Sequence, residues 1–433
     1  MNKFIADCAR TFGSSFVNHA TGIVAGIVLA RYLGPIGKGY IAYAAICVQL
    51  IGTATGGIAQ AVTYQYGACG LPAAAVYKAM RKILACVAAV GAAILVAIAL
   101  SAPSQTVLLW AALVLPFALY VQAASGIMYA ANRVSATNVQ SLILGTVYGV
   151  LTLVAVVAFG SNYQIVLGVW AGSYIAAAFY SWWILRPYVS QPTPTSRAIL
   201  WEQLTFGGKT SAAQLATMLN MRIDIFVVSA ALGAVALGVY TLAVAIGELL
   251  WQLSTPFMVA AFPRITTAPP AEAAAFTAKL IRHILALVAP AGALLWVLAP
   301  TLITALYGSA FREAGGALRW LMLGMVAYAA EAPLGYYLLV RLKRPGLILL
   351  IQGTSAVVCA AITLATVRSF GILGAAAATT ITYLAVVIVK ACIFHRATGI
   401  SPAKLLFIDL DELREARGLA IRMLGRLRPA RAT

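Results

Sequence analysis

The chain has 433 residues, 62% of them hydrophobic and 9% charged, with a formal net charge of +19. Soluble domains carry roughly 25% charged residues, so a soluble fold of this length could not cover its surface. The basic excess flanks apolar runs, which makes it a statement about membrane topology, and no nucleic-acid partner is expected.

A bilayer is crossed by ~20 apolar residues. In chain order such runs cover about 11–31, 40–62, 83–101, 106–131, 139–159, 163–185, 207–231, 236–262, 283–306, 319–340, 346–367 and 371–394, which makes twelve spans. The first starts close to the N-terminus and is of spanning length, so no cleavable signal is expected. Lipid offers the backbone no hydrogen-bond partner, so these runs form helices. The short alternating segments of a membrane barrel are absent. The expected fold is an all-α polytopic membrane protein of about twelve transmembrane helices. Of the 30 Lys and Arg, only Arg31, Lys38, Arg312, Arg319 and Arg368 fall outside when the N-terminus is placed inside, and Arg222 falls within a span. Lys390 is counted with the inner C-terminal end. Both termini are therefore expected in the cytoplasm.

Between spans one and two the chain reads "ARYLGPIGKGY" (Ala30 to Tyr40), and between spans seven and eight "AALGAVALGVY" (Ala230 to Tyr240). Gly34 and Gly39 match Gly233 and Gly238 at an offset of 199. Each stretch reads as a tight outer turn in which glycine permits reversal. The match predicts a duplicated fold. Because each half holds an even number of spans, the two six-helix lobes share one orientation and a pseudo-two-fold along the membrane normal. The expected divisions are a lobe at 1–185, a Pro-rich cytoplasmic linker at 186–206, a lobe at 207–395 and a basic tail at 396–433. In the tail Leu406, Leu410, Leu413, Ala416, Ala420, Leu424 and Leu427 recur at helical spacing among arginines. That suits an amphipathic helix on an anionic leaflet or one docked on the inner loops. Four Gly-x-x-x-Gly pairs, Gly22/Gly26, Gly52/Gly56, Gly145/Gly149 and Gly168/Gly172, read as close helix contacts. Cys8, Cys47, Cys69, Cys86, Cys359 and Cys392 have neither ligand nor redox spacing and read as small hydrophobes. "FGGKTS" (Phe206 to Ser211) lacks the first glycine of a phosphate loop, since Gln203 stands there. No metal motif or catalytic triad appears, and no enzyme is expected.

Three stretches carry a family resemblance: "LARYLGPIGKGYIAYA" after span one, "NMRIDIFVVSAALGAVALGVYTLA" in spans seven and eight, and "ALYGSAFREAGGALRWLMLG" between spans nine and ten. They resemble polysaccharide flippases of the Wzx type. These belong to the multidrug/oligosaccharidyl-lipid/polysaccharide exporter superfamily, which also holds MATE drug exporters and lipid II flippases. Lipid II flippases carry more spans as a rule. The resemblance implies two lobes around a central cavity lined mainly by spans one, two, seven and eight.

Ionisable groups at mid-bilayer cost at least ~2.5–3.5 kcal/mol each, so each needs a partner, water or a function. His19, Arg222, Asp224, Glu248 and Glu331 count to that depth, with Asn18, Gln49 and Asn220 adding neutral polarity. The Arg222 guanidinium can hold a phosphate through its planar fork, or pair with Glu248 or Asp224 to hold the lobe together. Arg10 and Lys209 at the inner ends of spans one and seven suit entry of an anionic head group, or ordinary positive-inside flanking. Arg31 suits its exit. Asp224, Glu248 and Glu331 outnumber the one deep arginine, so a site for a coupling ion, H+ or Na+, stands beside the phosphate site. Glu331 precedes Pro333 and could instead cap broken backbone, and His19 could serve packing alone. No cofactor is expected.

The resemblance implies a flippase that moves an undecaprenyl-diphosphate oligosaccharide across the bacterial inner membrane by alternating access, for surface polysaccharide. Its expected partners are the lipid-linked glycan, membrane lipids and other glycan assembly proteins, and a monomer is expected. The alternative in the same fold is a MATE-like, cation-coupled exporter of small amphipathic or cationic molecules. A polymerase or ligase would need a large external loop, and the outer loops are short.

Overall fold

The computed structural model describes residues 2–101, 105–160, 162–190 and 196–405. The tail from residue 406 on lies outside the described residues, as does the amphipathic helix expected there.

Among the described residues there are helices and no strands. In order they are α1 (Asn2–Thr63), α2 (Ala73–Ser101), α3 (Leu108–Ala130), α4 (Val134–Leu142), α5 (Tyr148–Phe159), α6 (Tyr163–Val189), α7 (Arg197–Gln252), α8 (Thr255–Thr267), α9 (Pro270–Tyr307), α10 (Arg312–Tyr328), α11 (Glu331–Tyr336), α12 (Pro345–Phe370) and α13 (Ile372–Thr398). Ten described helical stretches are long and apolar enough to cross a membrane. Two of them, Phe16–Ala68 and Arg197–Gln252, hold two spans each, which restores the expected twelve.

Both double spans are jointed at the expected glycines. Gly34 has φ 65°, ψ −173° inside α1, and Gly233 has φ 79°, ψ −170° inside α7. That backbone region is essentially closed to residues with a Cβ. After Gly34 the chain folds back on itself: Lys38 Nζ donates to the carbonyl of Gly26, twelve residues earlier, at 3.4 Å. Pro35 opens the returning arm, where a missing N–H costs nothing.

Two other spans are interrupted. A π-turn at Ile143–Val147 joins α4 to α5. Span ten breaks between α10 and α11, and Glu331 opens the new helix two residues before Pro333. That is the broken backbone its sequence suggested.

The described chain divides into two compact units. Unit one is Met1–Ala243 with Pro300–Ala317 and Ala356–Ala375. Unit two is Val244–Ala299 with Leu318–Ser355 and Ala376–Thr433. Unit one has its core where α2, α3 and α6 meet, around Met80, Leu108, Leu115, Leu119, Met128 and Leu167. Outward faces are apolar as well: on α12 Leu350, Val357 and Leu364 recur every seven residues and are exposed. In water such a stripe would be a liability, and in lipid it is the solvent-matched face.

The Gly-x-x-x-Gly pairs divide into three kinds, which corrects the reading of all four as helix contacts. Only Gly145/Gly149 brings helices close, where added Cβ atoms would stand 2.7 Å from Asn18 Cγ and 2.6 Å from Thr21 Cγ2. Gly22/Gly26 and Gly168/Gly172 face open space or side-chain tips. Gly52/Gly56 instead leaves room for glutamine side chains. The spacing permits close approach but cannot supply the partner helix.

Candidate functional site

The two jointed turns meet inside unit one. A Cβ on Gly39 would stand 2.8 Å from the carbonyl carbon of Ala234 and nearer still to its oxygen. A Cβ on Gly238 would stand 2.9 Å from the carbonyl carbon of Pro35. Pro35 and Ala234 are themselves equivalent under the offset of 199, so the contact is reciprocal, as two-fold symmetry requires. Backbone meets backbone here because neither helix carries a side chain at the crossing. This pinches together the expected outer ends of spans one, two, seven and eight.

At the other end of span two, Gly57 packs on the start of α7. A Cβ there would stand 2.7 Å from Ser211 N, and Gly57 N donates to Ser211 Oγ at 3.0 Å. Of the two glycines in "FGGKTS", Gly207 serves this packing, since a Cβ there would stand 3.3 Å from the Gly57 carbonyl carbon, and Gly208 faces open space. Beside it, Gln203 Nε2 donates to Gln65 Oε1 at 2.9 Å and to the Val76 carbonyl at 3.1 Å. Gln65 Nε2 in turn donates to Glu202 Oε2 at 3.0 Å and to the Ile199 carbonyl at 3.1 Å.

Between these ends, unit one holds a cavity of about 530 Å³ lined by spans two, four, five and six. Its polar groups are Gln49, Thr53, Gln122, Trp170 and Tyr174. Trp170 and Tyr174 stand edge to face with ring centroids 5.7 Å apart. Gln122 reaches over the helix of span two because Gly52 and Gly56 have no side chains: added Cβ atoms would lie 3.5 Å from Gln122 Oε1 and 3.3 Å from Gln122 Nε2. Gln214 crowds the same glycine, with its Cδ 3.4 Å from the added atom on Gly56. Neutral amides, a hydroxyl and two aromatic rings offer hydrogen bonds and stacking faces without net charge. Of the lining residues, Gln49 alone is among the site residues expected from the sequence. Gln122, Trp170 and Tyr174 lie on spans four and six, outside the four spans the resemblance implies, although Gln122 interrupts the apolar run "FALYVQAASG".

The other candidates lie on α1, α7 and α11. Asp224 is buried in span seven, where its carboxylate accepts from the Tyr240 hydroxyl and, at 2.8 Å, from Ile225 N. Asn220, one turn earlier, is 1% exposed, and neither its Nδ2 nor its Oδ1 has a hydrogen-bond partner among the described residues. Arg222 lies half-buried between them. Asn18 is held by structure: its Nδ2 donates to Ser141 O at 3.2 Å and its Oδ1 accepts from Thr146 Oγ1 at 2.7 Å. His19 and Lys209 are exposed, and Glu248 is half-buried in unit two. Arg31 donates to the carbonyls of Ala305 and Leu306, the latter at 2.7 Å, and so satisfies the last turn of α9. Arg10 lies in α1, and its side chain is outside the described residues.

Glu331 holds the largest surprise. Its carboxylate pairs with Lys390, whose side chain is fully buried, and accepts from Gln352 Nε2 at 3.0 Å. Tyr328, Tyr383 and Trp251 stack alongside, with Tyr328 and Tyr383 centroids 4.2 Å apart. Lys390 is therefore not an inner flanking residue, and Arg222 is not the sole deep cation. The signal was present in "VVIVKACIF", where the lysine interrupts an apolar run.

A family model described as "Polysaccharide biosynthesis protein" matches residues 28–315. No curated protein sequence matches the chain. Similar solved structures include the lipid II flippase MurJ in an inward closed conformation, with TM-score 0.73 and 13% identity over 95% of this chain and 92% of that one. An inward-facing multidrug resistance MATE transporter aligns with TM-score 0.61 and 17% identity over 90% and 95%. A transporter of the same superfamily from Pyrococcus furiosus aligns with TM-score 0.55 and 15% identity over 92% and 94%. At these identities the likeness concerns the fold, which is the two-lobed transporter fold expected from the sequence.

Proposed function

This chain belongs to the polysaccharide biosynthesis protein family, and from that premise we propose that it is a flippase for a lipid-linked oligosaccharide. The cargo would be an undecaprenyl-diphosphate glycan, taken from the cytoplasmic leaflet of a bacterial inner membrane and released outside by alternating access. The observation that carries this reading is the neutral cavity of unit one. Gln49, Thr53 and Gln122 match sugar hydroxyls, and Trp170 with Tyr174 offers the aromatic faces on which sugar rings pack. An exporter of cations would instead present an uncompensated acid. Of the three deep acids, Glu331 is paired with the Lys390 cation and Asp224 accepts a hydrogen bond from Tyr240. Asn220 supports the same reading, because an unsatisfied buried amide costs about 1–3 kcal/mol unless a ligand or a second conformation completes it. Arg222 is the proposed contact for the diphosphate, with Arg10 and Lys209 at the entrance. The fold alone also suits a MATE-like exporter.

Deletion of the gene tests both. The flippase reading expects surface glycan to disappear while its lipid-linked unit accumulates on the cytoplasmic leaflet. Normal surface glycan together with raised drug sensitivity would replace it with the exporter reading.

A further inference from the structure

We infer that unit one binds the phosphate head group of an anionic phospholipid in a pocket between the start of α4 and the end of α6. The pocket has a volume of about 460 Å³, and its polar lining is Arg133, Ser135, Tyr180, Trp183, Arg186 and Tyr188. No Asp or Glu lines it. Arg133 Nε donates to the Tyr188 hydroxyl at 2.9 Å, and the guanidinium lies 6.0 Å from that ring. Arg186 lies 6.0 Å from the ring of Trp182. These contacts hold both guanidinium planes and leave their Nη groups without a hydrogen-bond partner among the described residues. Two such forks over one pocket match phosphate oxygens.

The surroundings place the pocket at head-group depth. Tyr180, Trp182, Trp183 and Tyr188 are amphipathic rings of the kind that settle at a membrane interface. Phe179, Trp183 and Val139 are exposed at 64%, 59% and 40%, so the adjoining surface is apolar enough for acyl chains. Basic pockets between transmembrane helices take anionic lipid head groups for this reason. The same phosphate chemistry could come from the diphosphate of a lipid-linked cargo. The pocket is built only from α4, α6 and the turn before α4, and it shares no lining residue with the cavity proposed for the sugar. A phospholipid resident in the leaflet is thus the occupant, whatever the cargo.

The test uses the full chain, purified in detergent, stripped of lipid and offered phosphatidylglycerol or phosphatidylcholine, with retained lipid counted by native mass spectrometry. Wild type is expected to retain phosphatidylglycerol preferentially. Arg133→Gln and Arg186→Gln should each weaken retention about fivefold, and the double variant roughly thirtyfold. Arg197→Gln, an exposed arginine outside the pocket, should retain it normally. The wild-type comparison and the single variants decide the matter even if the double variant does not fold. Equal retention of the two lipids, or unchanged retention in both single variants, overturns the proposal. A polyprenyl diphosphate that displaces phosphatidylglycerol at an equal dose would make this a cargo site. Inorganic phosphate doing so would make it a free-anion site. Either result overturns the phospholipid assignment.

Discussion

Gly39 and Gly238 occupy equivalent places in two turns 199 residues apart, and each is pressed against the backbone that precedes the other: Gly39 on Ala234, Gly238 on Pro35. A methyl at either position meets a carbonyl group, which cannot rotate away as a side chain would. Gly39→Ala and Gly238→Ala are each expected to lower stability by about 1–3 kcal/mol. The two should combine to less than their sum, because both open the same crossing. Thermal unfolding of the purified variants measures this. Full additivity would mean that the two contacts are independent.

Lys390 and Glu331 form a buried pair whose halves cannot stand alone. Lys390→Met leaves the carboxylate without its cation and should cost about 3–5 kcal/mol. The double variant Lys390→Met with Glu331→Gln should recover most of that loss, since it removes both charges. Glycan export by the double variant then separates two roles for Glu331. Retained export is expected, and its loss in a stable protein would return Glu331 to the ion-coupling residues.

In the neutral cavity, Gln122→Leu keeps the volume and removes the hydrogen bonds. Export should fall about 2- to 12-fold, the worth of one neutral hydrogen bond, with no drop in unfolding temperature. Trp170→Phe should be milder than Trp170→Ala, because the larger part of the ring face survives. Unchanged export in Gln122→Leu would remove the cavity from the cargo path.

Arg222 separates by charge and by shape. If it holds a diphosphate, Arg222→Gln should reduce export roughly 10- to 100-fold, in the range of a charge-assisted hydrogen bond. Arg222→Lys should recover only part, since an ammonium cannot make the planar fork. A fall in unfolding temperature that tracks the fall in export would mark a structural role instead.

The number of spans, their helical state and the glycine joints were legible in the chain itself. Each follows from a local rule: the length of an apolar run fixes a crossing, and only glycine adopts the backbone found at Gly34 and Gly233. Depth was less legible than expected. Lys390 was counted by its nearness to the C-terminal end, yet it is enclosed by its ion pair with Glu331, a residue 59 positions away. Arg31, expected at the exit, donates to the carbonyls that end α9, a partnership between residues 275 positions apart.

The amino-acid sequence by itself determined the membrane as solvent, the twelve crossings and the repeat of the jointed turn, because hydropathy and backbone sterics act within a few residues. Tertiary structure alone decided which polar groups share a space. Gln49 shares a cavity with Gln122, Trp170 and Tyr174 from three spans, Asp224 is taken by Tyr240, and Glu331 by Lys390. Those partnerships depend on helix rotation and packing between distant segments, which no run of neighbouring residues encodes.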